Sequence, residues 1–271
     1  MLNSMQEKLL EMLKWFHNYC VNNNIQYYAV GGTMIGAMRH HGFIPWDDDI
    51  DIAVPRKDYN RLIHEFTNIT DGYLLESPYS GNYDYLYSYA KLYDTRTTVV
   101  ENTRVPCKRG VYIDIFPLDG IGNTYEDAKR YFDKFDKRNM FLMTRTCVIR
   151  SDRSWYKNAS IIAARAIPNF ILDDKKLSIS VDQMAASLND EKSVYVANLM
   201  GAYRSKEITL REYFGHPTLY SFEGIKIYGP EKYDEYLQGI YKNWRELPPE
   251  DKRNTKHDFV VFDLEKPYIE G

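Results

Sequence analysis

Apolar and polar residues alternate along the chain with periods that change from segment to segment, and these periods predict the secondary structure. Between Leu9 and Cys20, apolar residues recur every three or four positions, which predicts an amphipathic helix over residues 5–23. The apolar and aromatic run Ile25–Val30 ends at a Gly-Gly pair and is typical of a strand that enters a turn. The hydroxyl of Thr33 is then expected to cap a short helix that runs to about residue 40.

Four further segments continue this mixture of helices and strands. Residues 49–54 alternate and then become apolar, which predicts a strand, and residues 58–66 have the pattern of a helix. Residues 83–93 alternate as a strand does, and residues 110–116 form an apolar strand ended by Pro117. This mixture predicts an α/β (α+β) fold in which a mixed sheet is flanked by helices.

The second half of the chain is predicted to be mostly helical. Helical patterns cover residues 125–170, 179–200 and about 231–244. No internal repeat, low-complexity tract or long linker separates the two halves. We therefore expect an α/β core at residues 1–125 and a mostly helical part at residues 126–271 that packs on this core and is not independent.

Composition and charge narrow the class of protein. The 271 residues include 35 Lys and Arg against 38 Asp and Glu, and the net charge of −3 argues against a dedicated nucleic-acid binder. With 44% hydrophobic and 27% charged residues, the chain is typical of a globular protein rather than a disordered or fibrous one. The apolar runs are too short for a membrane helix, the N-terminus lacks the pattern of a signal peptide, and the three cysteines lie far apart. These features favour a reducing cytoplasm.

The candidate chemistry is concentrated between Gly31 and Val54. The turn Gly31-Gly32-Thr33 follows a strand and opens a helix. Glycines let a ligand approach the backbone, and the free N–H groups at a helix start favour an anion such as a phosphate. A tight structural turn is the alternative interpretation of these residues.

Carboxylates at alternate positions follow this turn. Asp47, Asp49 and Asp51 are two residues apart, so on a strand they would face the same side. Their like charges repel each other, and a hard divalent cation such as Mg²⁺ or Mn²⁺ would resolve this conflict, because such cations prefer oxygen ligands. A solvated acidic turn explains Asp47 and Asp48, but it explains Asp51 poorly because two isoleucines flank that residue.

A further carboxylate, Asp114, lies within the predicted apolar strand. An isolated Asp there is unfavourable unless it is paired or binds a metal. If this strand lies beside the strand of Asp49 and Asp51, Asp114 completes a triad that holds metal and takes a proton from an attacking hydroxyl. Asp119, which follows Pro117, is expected in a turn.

These residues together resemble the LicD family of bacterial phosphocholine transferases, which is related to fukutin and the fukutin-related protein. The matching positions are Gly31-Gly32-Thr33, Gly36, Arg39, Gly42, Pro45-Trp46-Asp47-Asp48-Asp49, Asp51 and Asp114-Ile115-Phe116-Pro117-Leu118-Asp119. A weaker similarity runs from Tyr228 to Pro249, where the family often has Tyr-Gly in place of Tyr241-Lys242. The resemblance implies a nucleotidyltransferase fold of the polymerase-beta kind.

The resemblance also implies a reaction. Members of the family move a phosphorylated alcohol, usually phosphocholine, from a CDP-alcohol such as CDP-choline to a sugar hydroxyl of a cell-surface glycan, and they release CMP. The glycan is a teichoic acid, a capsule polysaccharide or a lipopolysaccharide, and it is often lipid-linked. Asp49, Asp51 and Asp114 are then the catalytic and metal-binding residues, with Asp47 as a ligand or a neighbour of the metal, and the Gly31–Thr33 turn holds donor phosphate.

Two other functions remain open. A true nucleotidyltransferase would use the same carboxylates and keep the nucleotide on its product. A binding module that retained the fold without activity is the second alternative, against which the intact Asp49, Asp51 and Asp114 argue. Choline is not distinguished by the sequence from glycerol, ethanolamine or ribitol.

Two cations near the carboxylates are expected to contact the donor. The resemblance implies that Arg39 neutralises charge on the leaving CMP. Lys91 falls within the run 83–93 and is interpreted as a contact to donor phosphate.

Tyrosine is frequent, with 24 residues, and several tyrosines fall on one parity of the run 83–93. If this run is a strand, Tyr85, Tyr87 and Tyr89 share one face, and aromatic faces attract a quaternary ammonium such as choline by roughly 0.5–2 kcal/mol per contact. A tyrosine-rich strand packed against helices is the alternative, and Lys91 favours it because its charge repels choline.

Residues 129–165 carry ten Lys and Arg against three Asp, with apolar residues between them. A basic amphipathic stretch of this kind suits an anionic membrane surface, and a solvated helix face is the alternative. We expect a cytoplasmic protein that makes peripheral contact with the inner face of the bacterial membrane through residues 129–165. His257, beyond Pro248-Pro249, is expected at the surface, with a reach back to the site as the alternative.

Overall fold

The computed structural model describes residues 2–66, 68–255 and 259–269, so His257 lies outside the described residues. The helices are α1 (Ser4–Asn22), α2 (Gly31–Arg39), α3 (Arg56–Glu65), α4 (Tyr125–Thr146), α5 (Trp155–Arg165), α6 (Asp174–Ala186), α7 (Arg211–Phe214) and α8 (Tyr233–Tyr241), with 3₁₀ turns at Arg204–Glu207 and Glu250–Lys252. The strands are β1 (Tyr28–Ala29), β2 (Asp51–Pro55), β3 (Tyr73–Glu76), β4 (Ala90–Asp94), β5 (Thr98–Glu101), β6 (Lys108–Arg109), β7 (Tyr112–Gly122), β8 (Tyr195–Ala197), β9 (Thr209–Leu210), β10 (Thr218–Phe222), β11 (Ile225–Gly229) and β12 (Phe259–Asp263).

A mixed sheet forms the centre of the molecule. Its strands follow the order β1-β2-β7-β4-β3, and β8 and β9 extend it beside the second half of β7. The pair β2–β7 is parallel, whereas β1–β2, β4–β7 and β3–β4 are antiparallel. The predicted mixed sheet with flanking helices is confirmed, and the parallel pair at its centre brings the two acidic strands together.

The predicted N-terminal helix is confirmed as α1. Leu9, Leu13, Phe16 and Cys20 are all buried in the main hydrophobic core. A capping box between Asn3 and Gln6 fixes the first turn. The burial of one apolar stripe explains why this amphipathic pattern was a reliable signal.

Helix α2 begins two residues before the predicted cap. Its first residue is Gly31, and Val30 precedes it in an extended conformation without a side-chain cap. The prediction that Thr33 caps the helix is therefore wrong. Because Gly31 has a φ of +56°, the chain turns at this glycine and the helix starts there.

Strand β7 continues through Pro117 to Gly122, so the prediction that this proline ends the strand is wrong. On the same side of β7, the pairing with β4 ends at Ile115 and the pairing with β8 begins at Asp119. The N–H of Asp114 points to β2, so the nitrogen of Pro117 faces the opposite side, in the gap between those two partners. A missing N–H costs no ladder hydrogen bond at this position.

Asp119 lies inside β7 and not in a turn, so that prediction is also wrong. Its side chain is fully buried, and both carboxylate oxygens accept hydrogen bonds of 2.7 Å from Arg56 at the start of α3. Arg56 also donates to Asp182 of α6 over 2.7 Å. This buried network joins the sheet to the helical part of the chain.

The tyrosine-rich run forms a strand only at its end. Residues 83–89 are irregular, and β4 begins at Ala90. Tyr83 is 83% exposed whereas Tyr85 is fully buried, so these side chains do not share one face. The alternation of tyrosines was therefore a misleading strand signal.

The second half of the chain contains the helices α4–α8 and also supplies strands. Residues 195–197, expected in a helix, form β8 on the central sheet, and β12 pairs with β5. The hairpin β10–β11 packs beside α2. The division at residue 125 stays a prediction.

Across the residues that the structure describes, no helix is both long and apolar enough to cross a membrane.

Candidate active site

Three neighbouring strands place charged side chains side by side. In the parallel pair β2–β7, Asp51 lies opposite Asp114, and in the antiparallel pair β4–β7, Lys91 lies opposite Asp114. The N–H of Asp114 donates to the carbonyl oxygen of Ile50 over 3.0 Å, which fixes the register. The two acidic strands therefore lie side by side, which was the condition for a triad that includes Asp114.

The two glycines at the start of α2 contact the carboxylates directly. A Cβ at Gly31 would lie 3.0 Å from Oδ2 of Asp51, and a Cβ at Gly32 would lie 2.8 Å from Oδ2 of Asp47. A larger residue at either position would displace a carboxylate. The two glycines therefore leave room for the carboxylates as well as forming the turn.

Thr33 supports the site from behind. Its Oγ1 accepts a hydrogen bond of 2.9 Å from the N–H of Asp51, and its side chain is buried. It does not line the cavity described below, in contrast to Gly31 and Gly32. The structure therefore places Thr33 where it positions Asp51, not where it would contact a donor phosphate.

Oxygen ligands gather in front of β2. One carboxylate oxygen from each of Asp47, Asp48 and Asp49 lies within 4.8 Å of the others. Asp51 and Asp114 lie outside this group but line the same cavity. Asp48 was not among the predicted metal-binding residues, and its position in an unbroken acidic triplet was the available signal.

The electrostatics of this region fit a divalent cation. Burial raises the pKa of Asp51 well above its ordinary value, and the charges of Asp49, Asp114 and Asp47 raise it further. Several carboxylates thus compete for ionisation in one place, and a bound cation would relieve their repulsion. Since the donors are all oxygens, they suit Mg²⁺ or Mn²⁺ rather than a soft metal.

Lys91 stands behind Asp114 and not in front of it. Its Nζ is 2.8 Å from Oδ1 of Asp114, and it lies 3.6 Å from the ring centroid of Tyr112 and 4.4 Å from that of Tyr87. Lys91 is buried and does not line the cavity, so the predicted contact with donor phosphate is wrong. Although burial alone would lower the pKa of Lys91, the charges of Asp114 and Glu101 raise it overall.

Two of the three tyrosines predicted to bind choline, Tyr87 and Tyr89, face this lysine. The ring face of Tyr87 contacts Lys91, and the hydroxyl of Tyr87 donates a hydrogen bond to Glu101. Tyr85 is fully buried and does not line the cavity, so it cannot contact a ligand there. Tyr87 and Tyr89 do reach the cavity wall, beside a permanent positive charge.

Arg39 lies at the end of α2 and lines the cavity. Its Nη1 donates to the carbonyl oxygens of Trp244 and Glu246 over 2.8 and 3.0 Å. Burial lowers the pKa of Arg39, and Arg253 nearby lowers it further. Arg39 thus holds the segment after α8 against the site and brings a positive charge to the cavity wall.

One cavity of about 1120 Å³ contains all four predicted carboxylates. Its walls come from the glycine turn, from β2 and β7, from the end of α4 and from the segments around residues 198–207 and 236–254. The last two segments belong to the helical part of the chain, so the site needs both halves.

The profile described as the LicD/FKTN/FKRP nucleotidyltransferase domain matches residues 24–149, which include the glycine turn and the four carboxylates. Over 266 residues the chain is 29% identical to the lipopolysaccharide cholinephosphotransferase LicD of Haemophilus influenzae, across 94% of this chain and 96% of that protein. The chain thus resembles LicD proteins, in the profile match and over nearly its whole length. The resemblance inferred from the sequence is confirmed.

Shorter similarities connect this chain to two other proteins. It is 44% identical over 50 residues to an uncharacterized protein of Rickettsia prowazekii, across 18% of this chain and 19% of that protein. It is 24% identical over 135 residues to the mannosyltransferase regulator 4 of Saccharomyces cerevisiae, across 48% of this chain and 11% of that protein.

The C-terminal wall of the site holds residues that were not predicted from the sequence as site residues. Tyr203, Glu207, Tyr236 and Tyr241 all line the cavity. The N–H of Gly31 donates to the hydroxyl oxygen of Tyr236 over 3.3 Å, which joins this wall to the glycine turn. Tyr236 and Tyr241 fall on one predicted helix, which was a weak indication that they share a wall of the site. Nothing in the sequence pointed to Glu207.

Glu207 is the buried acid of this wall. Burial raises the pKa of Glu207 to about 8, although a hydrogen bond from the backbone of Tyr203 lowers it in part. Burial also raises the pKa of Tyr236, and the charges of Glu207 and Asp51 raise it further. Glu207 therefore lies within electrostatic reach of the metal-binding side of the cavity.

The turn after Tyr241 departs from the LicD pattern in a visible way. Lys242 ends α8 with a φ of +59°, a conformation that favours glycine. The family often has Tyr-Gly at Tyr241-Lys242. Lysine thus occupies a backbone conformation that glycine adopts without strain.

Proposed function

We propose that this protein is a transferase that moves phosphocholine from CDP-choline to a hydroxyl of a cell-surface glycan and releases CMP. The similarity to the lipopolysaccharide cholinephosphotransferase carries the proposal, because it spans both the carboxylate site and the C-terminal walls of the cavity. The volume of about 1120 Å³ also supports it, since single small-ligand pockets measure about 300–1,000 Å³. A donor and an acceptor sugar need such a space together.

The ligands of a divalent cation, Mg²⁺ or Mn²⁺, would be Asp49 and Asp51, with Asp47 and Asp48 beside them. When bound, this ion would neutralise the charge of the donor diphosphate. Gly31 and Gly32 leave the space in front of the carboxylates open, and the backbone N–H groups at the start of α2 favour an anion there.

In the transfer, the acceptor oxygen bonds to the phosphorus that carries choline, and the bond from that phosphorus to the oxygen of CMP breaks. Asp114 accepts the proton of the acceptor hydroxyl. Burial raises the pKa of Asp114 even though Lys91 lowers it, which makes this carboxylate a better base than an exposed aspartate. Arg39 supplies positive charge where CMP leaves.

The test is an assay with CDP-choline, Mg²⁺ and a glycan acceptor, followed by mass analysis of both products. We expect CMP in solution and a glycan that gains phosphocholine. Asp49→Asn, which keeps the shape of the side chain, should abolish CMP release. A glycan that gains cytidylate would instead identify a true nucleotidyltransferase. Binding of CDP-choline without turnover by any acceptor would identify a binding module.

The acceptor proposed here is a lipid-linked glycan at the inner face of the bacterial membrane. Trp155 and Ile162 lie two helical turns apart on α5 and are exposed, Trp155 by 80%, and Phe170 beyond the helix is 89% exposed. Lys157 is exposed on the same helix. Exposed aromatic and basic residues together match an anionic membrane surface.

This surface adjoins the cavity. Arg150 and Arg153, just before α5, line the cavity wall, so an acceptor held in the membrane would enter from this side. The basic segment is not uniform, however. Arg145 is buried and pairs with Asp174, so it takes no part in a membrane contact.

Sedimentation with phosphatidylglycerol vesicles tests this surface. We expect the wild type to bind at low salt and to bind phosphatidylcholine vesicles much less. The variant Trp155→Ser with Phe170→Ser should lose most of the binding, whereas Leu219→Ser, an exposed apolar residue on β10, should keep it. Equal binding by both variants would rule out this surface.

A further inference from the structure

The cavity has two aromatic walls, one beside a buried lysine and the other beside a buried acid. Near β4, Tyr87 and Tyr89 surround the ammonium of Lys91, which lies 4.4 and 5.6 Å from their ring centroids. Near α8, Tyr203 and Tyr241 stand beside the carboxylate of Glu207. A cationic ligand group is repelled by the first wall and attracted by the second.

The second wall lies next to the reacting centre. The rings of Tyr203 and Tyr241 pack edge to face with their centroids 4.5 Å apart. The hydroxyl oxygen of Tyr241 is 3.5 Å from the position that a Cβ of Gly31 would take, and the same position is 3.0 Å from Oδ2 of Asp51. An alcohol attached to a phosphate at the glycine turn would reach these rings.

Glu207 lacks a cationic partner in the protein. Its side chain is only 6% exposed yet lines the cavity, and no salt bridge to it occurs among the residues that the structure describes. A buried acid without a cationic partner keeps its proton, and a cationic ligand group beside it would favour the ionised form and be attracted by it.

The local backbone holds Glu207 in this place. A Cβ at Gly201 would lie 2.5 Å from Oε1 of Glu207, so the turn closes on the carboxylate only with glycine there. Arg204 has a φ of +55°, and its guanidinium pairs with Asp136 of α4. A non-glycine residue keeps this strained conformation only where surrounding contacts hold it, so the turn before Glu207 is fixed in place.

We infer that Glu207, Tyr203 and Tyr241 form the subsite for the quaternary ammonium group of the donor. This inference rests on the proposed function, because it assumes a CDP-alcohol with its diphosphate at the glycine turn. It moves the choline site away from the tyrosine run 83–93. It also accounts for an aromatic wall whose buried acid is close enough to Asp51 for their charges to interact.

The test compares two donors that differ in the charge of the alcohol. Affinities of CDP-choline, CDP-glycerol and CMP are measured by calorimetry for the wild type and for Glu207→Gln, which keeps the size of the side chain. We expect the substitution to weaken the affinity for CDP-choline about tenfold and to change the affinities for CDP-glycerol and CMP by less than about twofold. The control Glu235→Gln removes an exposed charge from α8, away from the cavity, and should change none of the three affinities.

The ring faces are tested in the same way. Tyr203→Leu should weaken the binding of CDP-choline selectively. Tyr203→Phe should bind CDP-choline about as well as the wild type, because the ring face attracts the cation. An equal loss for CDP-choline and CDP-glycerol in Glu207→Gln would overturn the subsite and leave the proposed function intact. Failure of the wild type to bind any of the three nucleotides would overturn both.

Discussion

Lys91 and Asp114 face each other on neighbouring strands, with Nζ 2.8 Å from Oδ1, at the back of the carboxylate site. Lys91 is enclosed by tyrosine rings and has no access to the cavity, whereas Asp114 lines it. The lysine therefore serves the site by holding a buried carboxylate in its ionised form and in one orientation. It is a positioning residue for the proposed base.

Replacing Lys91 with Met should lower the free energy of unfolding by about 3 kcal/mol, because Asp114 is left buried without its cation. Transfer activity should fall by at least a hundredfold, since the pKa of Asp114 rises and the carboxylate takes up a proton at neutral pH. Urea unfolding and the rate of CMP release measure the two effects.

The double variant Lys91→Met with Asp114→Asn separates stability from activity. Once both charges are absent, most of the lost stability should return while activity stays absent. If the single Lys91→Met variant unfolds like the wild type, the pair does not stabilise Asp114.

Asp51→Asn should abolish transfer without destabilising the empty protein. Burial and four neighbouring carboxylates raise the pKa of Asp51, so its ionised form is unfavourable in the folded state. A raised pKa means that unfolding releases a proton, and the stability of the wild type falls as pH rises above the unfolded value of about 3.9. The variant lacks this contribution and should unfold at an equal or higher temperature at pH 8.

Magnesium provides the control for this prediction. Mg²⁺ should raise the melting temperature of the wild type, because a ligand that binds only the folded state stabilises it. The shift should be absent in Asp51→Asn and present in Glu126→Gln, which removes an exposed carboxylate on α4. An equal shift in the wild type and in Asp51→Asn would remove Asp51 from the metal site.

The carboxylate site was predictable because its pattern is local. Asp49, Asp51 and Asp114 stand out as acids in or beside apolar strands, and a parallel pair brings two such strands into register. Pairing of the strands themselves could not be read from the sequence, since it is fixed by contacts between residues far apart in the chain. Asp119 shows the same difficulty, because its partner Arg56 lies 63 positions away.

The partners of the site were less predictable than its ligands. Lys91 and the tyrosine run looked like ligand contacts by residue type, but burial decided their role and placed them behind Asp114. Glu207 had no sequence signal, because a single acid in a segment of mixed pattern becomes informative only when the fold buries it beside Tyr203 and Tyr241. A sequence shows which residues are charged. It does not show whether a charged side chain lines a cavity or lies buried behind its wall.

Glu207 predicts a pH dependence of stability in the ligand-free protein. Because burial raises the pKa of Glu207 to about 8, the folded state keeps a proton that the unfolded state releases above its pKa of about 4.3. The free energy of unfolding should therefore fall between about pH 5 and pH 8, by on the order of 3–4 kcal/mol from this group. Urea unfolding across this range should show a smaller fall in Glu207→Gln than in the wild type, and identical slopes would contradict the assignment.

Lys242→Gly should stabilise the protein by about 1 kcal/mol. Lys242 ends α8 with a φ of +59° and a ψ of −101°, and its side chain is exposed, so the lysine has backbone strain without a compensating contact among the described residues. Glycine removes this strain, and the gain exceeds the cost of its greater freedom in the unfolded chain.

The matched control is Gly239→Ala in the interior of α8, where a Cβ would meet nothing within 4 Å and helix propensity alone should add a few tenths to about 1 kcal/mol. Thermal unfolding compares the two. A Lys242→Gly variant that melts below the wild type would show that the lysine side chain, and not the glycine-like backbone, stabilises the turn that brings Trp244 and the cavity wall against Arg39.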